Sequence, residues 1–209
     1  MTEPAKFWDK HAAKYAASKI SDMAAYQKTL ERTKSHLKES SHVFEIGCGT
    51  GSTALELAPG VAGYSGTDIS PKMIEIAQRK ASEAGISGLS FSVAAADALN
   101  VPKPCDTVLG FNIFHLTQDT EKLFARIFAA LPQGGLFISK TACLAEPSIG
   151  VKRFAFAGLI PIMRMIGVAP FVSRLTFAGL ESRITTAGFE IIETVTGPAM
   201  SRYIVARKT

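Results

Sequence analysis

The ten residues Val43-Phe44-Glu45-Ile46-Gly47-Cys48-Gly49-Thr50-Gly51-Ser52 constrain this chain more than any other segment. A short apolar run of β type ends in Gly-x-Gly-x-Gly, and a helical pattern through Thr53, Leu55 and Leu57 follows at once. Glycines in such a turn let the backbone approach a ligand where any Cβ would clash. Open α/β sheets bind their ligands there, beyond the carboxyl ends of the strands. A dinucleotide fold would carry Gly-x-Gly-x-x-Gly to seat a pyrophosphate, but Ser52 stands where that third glycine belongs. Glu45, two residues before the first glycine, would repel a pyrophosphate and suit a ligand that bears an ammonium group.

From Val43 onward strand and helix alternate. Gly63 to Thr67 reads as a weak, Gly-rich second strand, and Ser70-Pro71 then supplies an N-cap and an N1 proline. The helix they open puts Met73, Ile74, Ala77, Ala81 and Ala84 on one face and stops at Gly85. Leu89 to Val93, Thr107 to Phe111 and Leu136 to Ser139 read as strands, with a helix over Glu121 to Leu131. This order predicts right-handed βαβ units, a parallel sheet and helices on both faces. Phe189 to Val195 and Tyr203 to Ala206 are too close together for a crossover helix, so they must pair antiparallel. Before the first strand, residues 4–17 and 22–38 read as two helices. The expected fold is α/β: a Rossmann-like, seven-stranded, mostly parallel sheet with a reversed C-terminal β-hairpin and an N-terminal helical cap.

The 209 residues show no repeat or low-complexity linker, so 1–209 reads as one domain, with 1–40 as the cap and 141–175 as an apolar lid. Hydrophobic residues at 47% and charged residues at 20% argue against disorder. The first twenty residues lack the apolar core of a secretory signal. The most apolar stretch, Phe154 to Val172, is interrupted by Pro161, Arg164 and Pro170, so a membrane span is not expected. Cys48, Cys105 and Cys143 are odd in number and far apart, and no histidine pairs with them at ligand spacing; a metal-free, cytoplasmic protein with reduced thiols is the plain expectation. Residues 1–38 carry a net charge of +4, 39–149 carry −4 and 150–209 carry +5. Such ends are either solvated helix faces or a basic rim that attracts anionic substrates or an anionic membrane.

Asp68 closes the second strand in Gly66-Thr67-Asp68-Ile69-Ser70, about 20 residues beyond the glycines, where an acid accepts both ribose hydroxyls of an adenosine. Asp97, in Ala95-Ala96-Asp97-Ala98, follows the third strand and can accept from an adenine amino group. These segments resemble the class I S-adenosylmethionine-dependent methyltransferases, in particular the small-molecule branch related to quinone-biosynthesis enzymes. The resemblance runs from about Trp8 to the C-terminal hairpin and is weakest over 141–174. It implies S-adenosyl-L-methionine as cofactor, with Gly47, Cys48, Gly49 and Gly51 lining its methionine portion. It also implies Asp68 on the ribose, Ile69 and Met73 flanking the adenine, Ala96, Asp97 and Ala98 on the adenine edge, and Asn112 beside the sulfonium. Tyr15, in Trp8-Asp9-x-x-Ala12-x-x-Tyr15, matches a tyrosine that closes over the cofactor in that family.

Each residue also has a plainer reading. Glu45 can neutralise a neighbouring Lys, Asp68 and Asp97 can cap helices, Cys48 can simply fill the loop, and Tyr15 can be packed. His115, the only histidine at a strand end near the expected methyl donor, is either a catalytic base or a packing or substrate-lining residue. Methyl transfer from a sulfonium already has an activated leaving group, so positioning supplies much of the rate. The lid, rich in Phe, Ile and Met with Arg153, Arg164 and Arg174, suits a lipophilic or anionic small-molecule acceptor or peripheral membrane contact, or else completes the core. No Asp/Asn-Pro-Pro-Tyr/Phe segment follows the fourth strand and no RNA-binding module is appended, so nucleic acid is not the expected partner. A cofactor-binding protein without catalysis is the non-enzyme alternative. A nicotinamide-dependent dehydrogenase is disfavoured by Glu45 and Ser52.

Overall fold

The computed structural model describes residues 2–150, 152–165, 167 and 169–209, without the side chains of 152, 153, 155–157 and 199. Of the expected lid, Val151, Ile166 and Val168, and the Arg153 side chain, therefore lie outside the described residues. In chain order the elements are α1 (Glu3–Ala17), α2 (Met23–His36), β1 (His42–Ile46), α3 (Ser52–Leu57), β2 (Gly63–Asp68), α4 (Pro71–Ala84) and β3 (Leu89–Val93). They continue with β4 (Thr107–Phe111), α5 (Thr120–Ala130), β5 (Leu136–Ala142), α6 (Lys152–Met165), α7 (Phe177–Thr186), β6 (Phe189–Thr196) and β7 (Ser201–Lys208). The seven strands stand in the order β3-β2-β1-β4-β5-β7-β6. β1 pairs parallel with β2 and β4, and β2 pairs parallel with β3. β7 runs antiparallel to both β5 and β6, the reversed hairpin that the short gap demands. The sheet is thus the Rossmann-like one that the alternation predicts.

Although the sequence offers no linker, the chain gathers into two compact units, Met1–Gly110 and Phe111–Thr209. In the first, the core is built on β1, where Val43, Phe44 and Ile46 are 3% exposed or less. Such near-continuous burial is expected of a strand covered on both faces. α4 packs Met73, Ile74, Ala77 and Ala81 inward, and its N-terminus is capped by Ser70, whose hydroxyl accepts the Met73 N–H. Gly51, in the left-handed region at φ +75°, sets the height of this packing. A Cβ there would stand 2.9 Å from both Ala77 Cβ and Phe91 Cζ. Gly66 does the same for β2, since a Cβ would meet Cys48 Cβ and Phe91 Cδ1 at 3.0 Å. The glycines that weaken the β propensity of the second strand are what let Cys48 and Phe91 close on it.

The second unit packs around phenylalanines. Phe114, Phe124 and Phe137 are fully buried, with ring centroids 5.2–5.4 Å apart, and Phe189 extends the cluster at 5.5 Å from Phe137. Asp119 caps α5 and Thr176 caps α7, which buries Leu180 and Ile184 completely. Arg202 of β7 joins α7 through Glu181 at 2.6 Å and lies over the Phe177 ring at 5.2 Å.

Gly51 and Gly134 share a left-handed backbone, φ +75° and +76°, but nothing lies within 4 Å of a Cβ at Gly134. Replacement by Ala should therefore cost about 1–2 kcal/mol at Gly134, from the backbone alone. At Gly51 it should cost about 3 kcal/mol or more, because overpacking adds to the same backbone strain. Urea unfolding of the two variants measures the difference, and equal losses would refute this account of Gly51.

Candidate functional site

The glycine loop after β1 is held from two sides within the first unit. Cys48 N–H donates to the Thr67 carbonyl at 2.9 Å, which ties the loop to β2. The Asp68 carboxylate at the end of β2 accepts the Gly49 N–H at 3.0 Å on one oxygen and the Ser70 N–H at 2.9 Å on the other. Burial pushes the Asp68 carboxyl above its usual range, the two N–H donors hold it partly down, and Asp9 adds a further upward push. Asp68 therefore fixes the loop rather than capping a helix, since Ser70 is the cap of α4. Gly49 itself, at φ +54°, has open space on its Cβ side except for the Tyr15 ring, whose Cε1 would lie 3.9 Å away. Here a ligand can come up against bare backbone.

Glu45 sits beneath the loop, 2% exposed. Its register partner on β2 is Gly66, so no side chain competes for the space, and Tyr64, two residues earlier on the same face, donates its hydroxyl to Glu45 Oε2 at 2.9 Å. The partner of this carboxyl is thus a phenol, in place of the neighbouring Lys of the plainer reading. Desolvation raises the Glu45 carboxyl to about 7, the Tyr64 hydrogen bond opposes the rise, and Asp68 reinforces it. Burial first, then Glu45, carries the Tyr64 hydroxyl well above its ordinary value.

α1 is latched to the same corner. The Asp9 carboxylate accepts the Ser70 hydroxyl and, at 3.1 Å, the Lys72 N–H at the start of α4. Ala5 and Ala12 are the buried face of α1, and their small size permits this close approach. The latch leaves the Tyr15 ring against Gly49 with 55% of the residue open to solvent. The Tyr15 hydroxyl is raised, first by desolvation and then by Asp68 and Glu45. Lys80 reaches from α4 to the hydroxyls of Thr50 at 3.2 Å and Ser52 at 3.1 Å, bracing the far end of the loop.

Two expected site residues belong to the second unit. Asn112 holds a left-handed backbone at φ 57° and donates its N–H to the Lys140 carbonyl at 2.7 Å. A non-glycine residue in that conformation is tolerated best as Asn, which makes Asn112 the pivot of the loop after β4. The loop then turns Phe114 into the phenylalanine core, and His115 follows in the one-turn helix Phe114–Leu116. The His115 carbonyl accepts the Ser173 N–H at 2.6 Å, while its Nδ1 is buried without a partner. Burial depresses the imidazole to about 4, so it is unprotonated at neutral pH.

The structure redistributes some of the expected roles. Met73 is 2% exposed on the buried face of α4, whereas Ile69 just ahead of that helix is partly exposed. Gly51 points its Cβ side into Ala77 and Phe91, so on that side it serves packing against α4 and β3. Cys48 is 7% exposed and fills the loop with its side chain, as the plainer reading has it. Ala96, Asp97 and Ala98 form a single 3-10 turn, with Asp97 exposed inside it and not ahead of a helix. The Ala94 N–H bonds the Asp68 carbonyl at 3.0 Å, which brings this turn beside Asp68. Tyr64, Asp9 and Lys80 escape the sequence reading. Tyr64 alone has a signal: it alternates with Gly66 on a strand that must lie next to the one carrying Glu45.

Residues 43–135 match the family model described as methyltransferase domain. The chain is 29% identical over 143 residues to the uncharacterized methyltransferase YcgJ of Bacillus subtilis, covering 66% of this chain and 54% of that protein. It is 32% identical over 122 residues to a carboxy-S-adenosyl-L-methionine synthase of Desulfotalea psychrophila, covering 54% and 48%. The chain thus spans about half the length of these curated relatives. Among solved structures, the magnesium protoporphyrin IX methyltransferase ChlM of Synechocystis PCC 6803 with bound SAH superposes with a TM-score of 0.76 at 19% identity, over 99% of this chain and 98% of that one. Glycine loop, acid-tipped strands and reversed hairpin agree with these matches: residues 43–135 match a methyltransferase domain, and the chain shares the fold of the magnesium protoporphyrin IX methyltransferase.

Proposed function

We propose that residues 1–209 act as one catalytic domain that binds S-adenosyl-L-methionine and transfers its methyl group to a small, lipophilic acceptor in the cytoplasm. The observation that carries the reading is the pair of carboxylates around the glycine loop, Asp68 bonded to the Gly49 N–H and Glu45 buried beneath it. The residues fit the cofactor: bare backbone at Gly49, a fixed acid at the end of β2, and an uncompensated buried acid that an ammonium group would satisfy. Bound S-adenosylmethionine supplies a methyl group on a sulfonium, whose thioether is an already activated leaving group. In this reading Asp68 takes the ribose hydroxyls on lone pairs left free by Gly49 and Ser70. Glu45 draws the ammonium from below, Tyr15 covers the methionine portion, and Ile69 with Ala96, Asp97 and Ala98 holds the adenine. By the family resemblance Asn112 would lie beside the sulfonium, and His115 would line the acceptor or, for a protonated acceptor, take its proton.

The lipophilic acceptor is supported by the apolar segment from Phe154 onward. It is supported also by the substrates named for similar proteins, among them protoporphyrin, geranyl diphosphate and a sterol. Three buried, unpaired cysteines accord with a reducing compartment. Among the described residues no helix is long and apolar enough to cross a membrane.

Isothermal titration with S-adenosylmethionine should give a dissociation constant that rises at least about tenfold in Glu45→Gln and again in Asp68→Asn, since each substitution removes one charged partner of the ligand. Affinity unchanged in the double variant would overturn the site. Because the folded Glu45 holds its proton up to about 7, ligand binding should release a proton below that pH, and affinity should climb as pH rises toward 7. Glu45→Gln should flatten the climb, a result read from binding enthalpies in buffers of different ionisation heat. His115→Gln should lower kcat by roughly 10²-fold with cofactor affinity intact; an unaltered kcat would leave His115 a lining residue.

A further inference from the structure

α6 presents an exposed apolar face. Phe154, Leu159, Ile162 and Met165 are 63%, 54%, 54% and 80% exposed. At helical spacing these four, with the exposed Gly158, occupy one arc of about 140°. The described chain also exposes Tyr15, Ile20, Met23 and Val93, but four large apolar side chains on one fourteen-residue helix call for an explanation. The charge of this helix is one-sided. α6 contains Lys152, Arg153 and Arg164 and no acidic residue, and Arg174 follows on the return segment. The single acid between 143 and 176 is Glu146, and its carboxylate is occupied by the Phe177 N–H at 2.7 Å. Arg164, off the edge of the apolar arc, lies over the Phe171 ring at 5.2 Å and is exposed, a position from which a cation can reach phosphates while the arc faces acyl chains.

From these observations we propose that the exposed face of α6 docks on an anionic phospholipid bilayer, with Phe154, Leu159, Ile162 and Met165 entering the interface and Arg164 meeting lipid phosphates. Charge complementarity selects this occupant. A second copy of the chain would set the same cations against each other across a two-fold axis, and a neutral apolar partner would leave them unpaired. The segment that carries the helix is tied to the rest of its unit at its base. Ala145 N–H bonds the Leu175 carbonyl at 2.9 Å, closing the stem of the segment, and Ser173 N–H bonds the His115 carbonyl at 2.6 Å. Docking would therefore set the loop that carries His115 at the membrane surface, where a lipophilic acceptor concentrates. The proposal deepens the lipophilic-acceptor reading and rests on it for its purpose, but the docking itself needs neither methyl donor nor acceptor.

The test is co-sedimentation of the whole chain with vesicles of phosphatidylcholine alone, and of phosphatidylcholine with phosphatidylglycerol at about three to one. The expected result is binding to the anionic vesicles that weakens as salt is raised. The partition coefficient should fall at least about tenfold in Leu159→Glu/Ile162→Glu and about fivefold in Arg164→Gln. Met165→Glu, at the most exposed position, gives the same reading with little demand on folding, and an unchanged melting temperature with unchanged S-adenosylmethionine affinity marks each variant as folded. Absence of binding to anionic vesicles at low salt overturns the proposal. So does equal binding by the variants, or a lipid-free dimer that these substitutions dissolve. Because cofactor affinity is measured on the same samples, a failed membrane contact is distinguished from a failed methyltransferase reading.

Discussion

The hydrogen bond from the Gly49 N–H to the Asp68 carboxylate joins the glycine loop to the tip of β2, beyond the ladder between β1 and β2. β1 and β2 bring the two side by side, but their register ends at Ile46 and Thr67. Beyond it, the Cys48 backbone and Asp68 hold the glycine turn in place. A charge-assisted bond of this kind is stronger than a neutral one. It also explains how Gly49 can stay bare: the turn is fastened through its N–H groups, so the opposite face of the backbone is left open toward Tyr15. The latch from Asp9 to α4 starts from Ser70, two residues beyond Asp68, so the same short stretch of chain fixes both the floor and the cover of the site.

Beneath the loop the balance runs the other way. Holding Glu45 in the core raises its carboxyl from 4.5 to about 7, equivalent to about 3 kcal/mol against its ionised form. The folded chain is stabilised by the neutral acid below about 4.5 and loses that contribution as pH rises toward 7, since the unfolded chain ionises first. One hydroxyl, from Tyr64, does not restore what water gave. A buried acid with a single neutral donor is a poor choice for stability and a suitable one for recognising a cation, because the cation relieves a penalty already present in the free protein.

Most of the order of elements, though not α7, was legible because each depends on local pattern. Ser70-Pro71 and Gly85 bound α4, and the four residues 197–200 leave β6 and β7 no choice but to reverse. What stayed hidden depends on register and depth. Gly51 and Gly49 look alike in the sequence, yet one faces Ala77 and Phe91 and the other faces open space. Met73 has the spacing of a site residue and the burial of a core residue, and only the rotation of α4 decides between them. Asp9 reaches Ser70 across 61 positions, a contact no spacing rule contains. The Gly-rich β2 is the instructive reversal, since the glycine that weakens its β propensity, Gly66, is what leaves room for Cys48 and Phe91.

In the second unit the buried polar groups without partners cluster rather than scatter. Ser139 Oγ and Thr141 Oγ1 lack hydrogen bonds on the face of β5 that also carries Phe137, and Phe137 packs on Phe114, the neighbour of His115, whose Nδ1 is likewise unpartnered. Each such group costs about 1–3 kcal/mol when it is left without a partner. The same apolar surroundings account for the depressed imidazole, because burial is what drives it to about 4. An imidazole held neutral in this way cannot act as an acid at neutral pH. It retains a lone pair on a loop pinned by Lys140 on one side and Ser173 on the other, but the burial that keeps the ring uncharged also makes it a weak base.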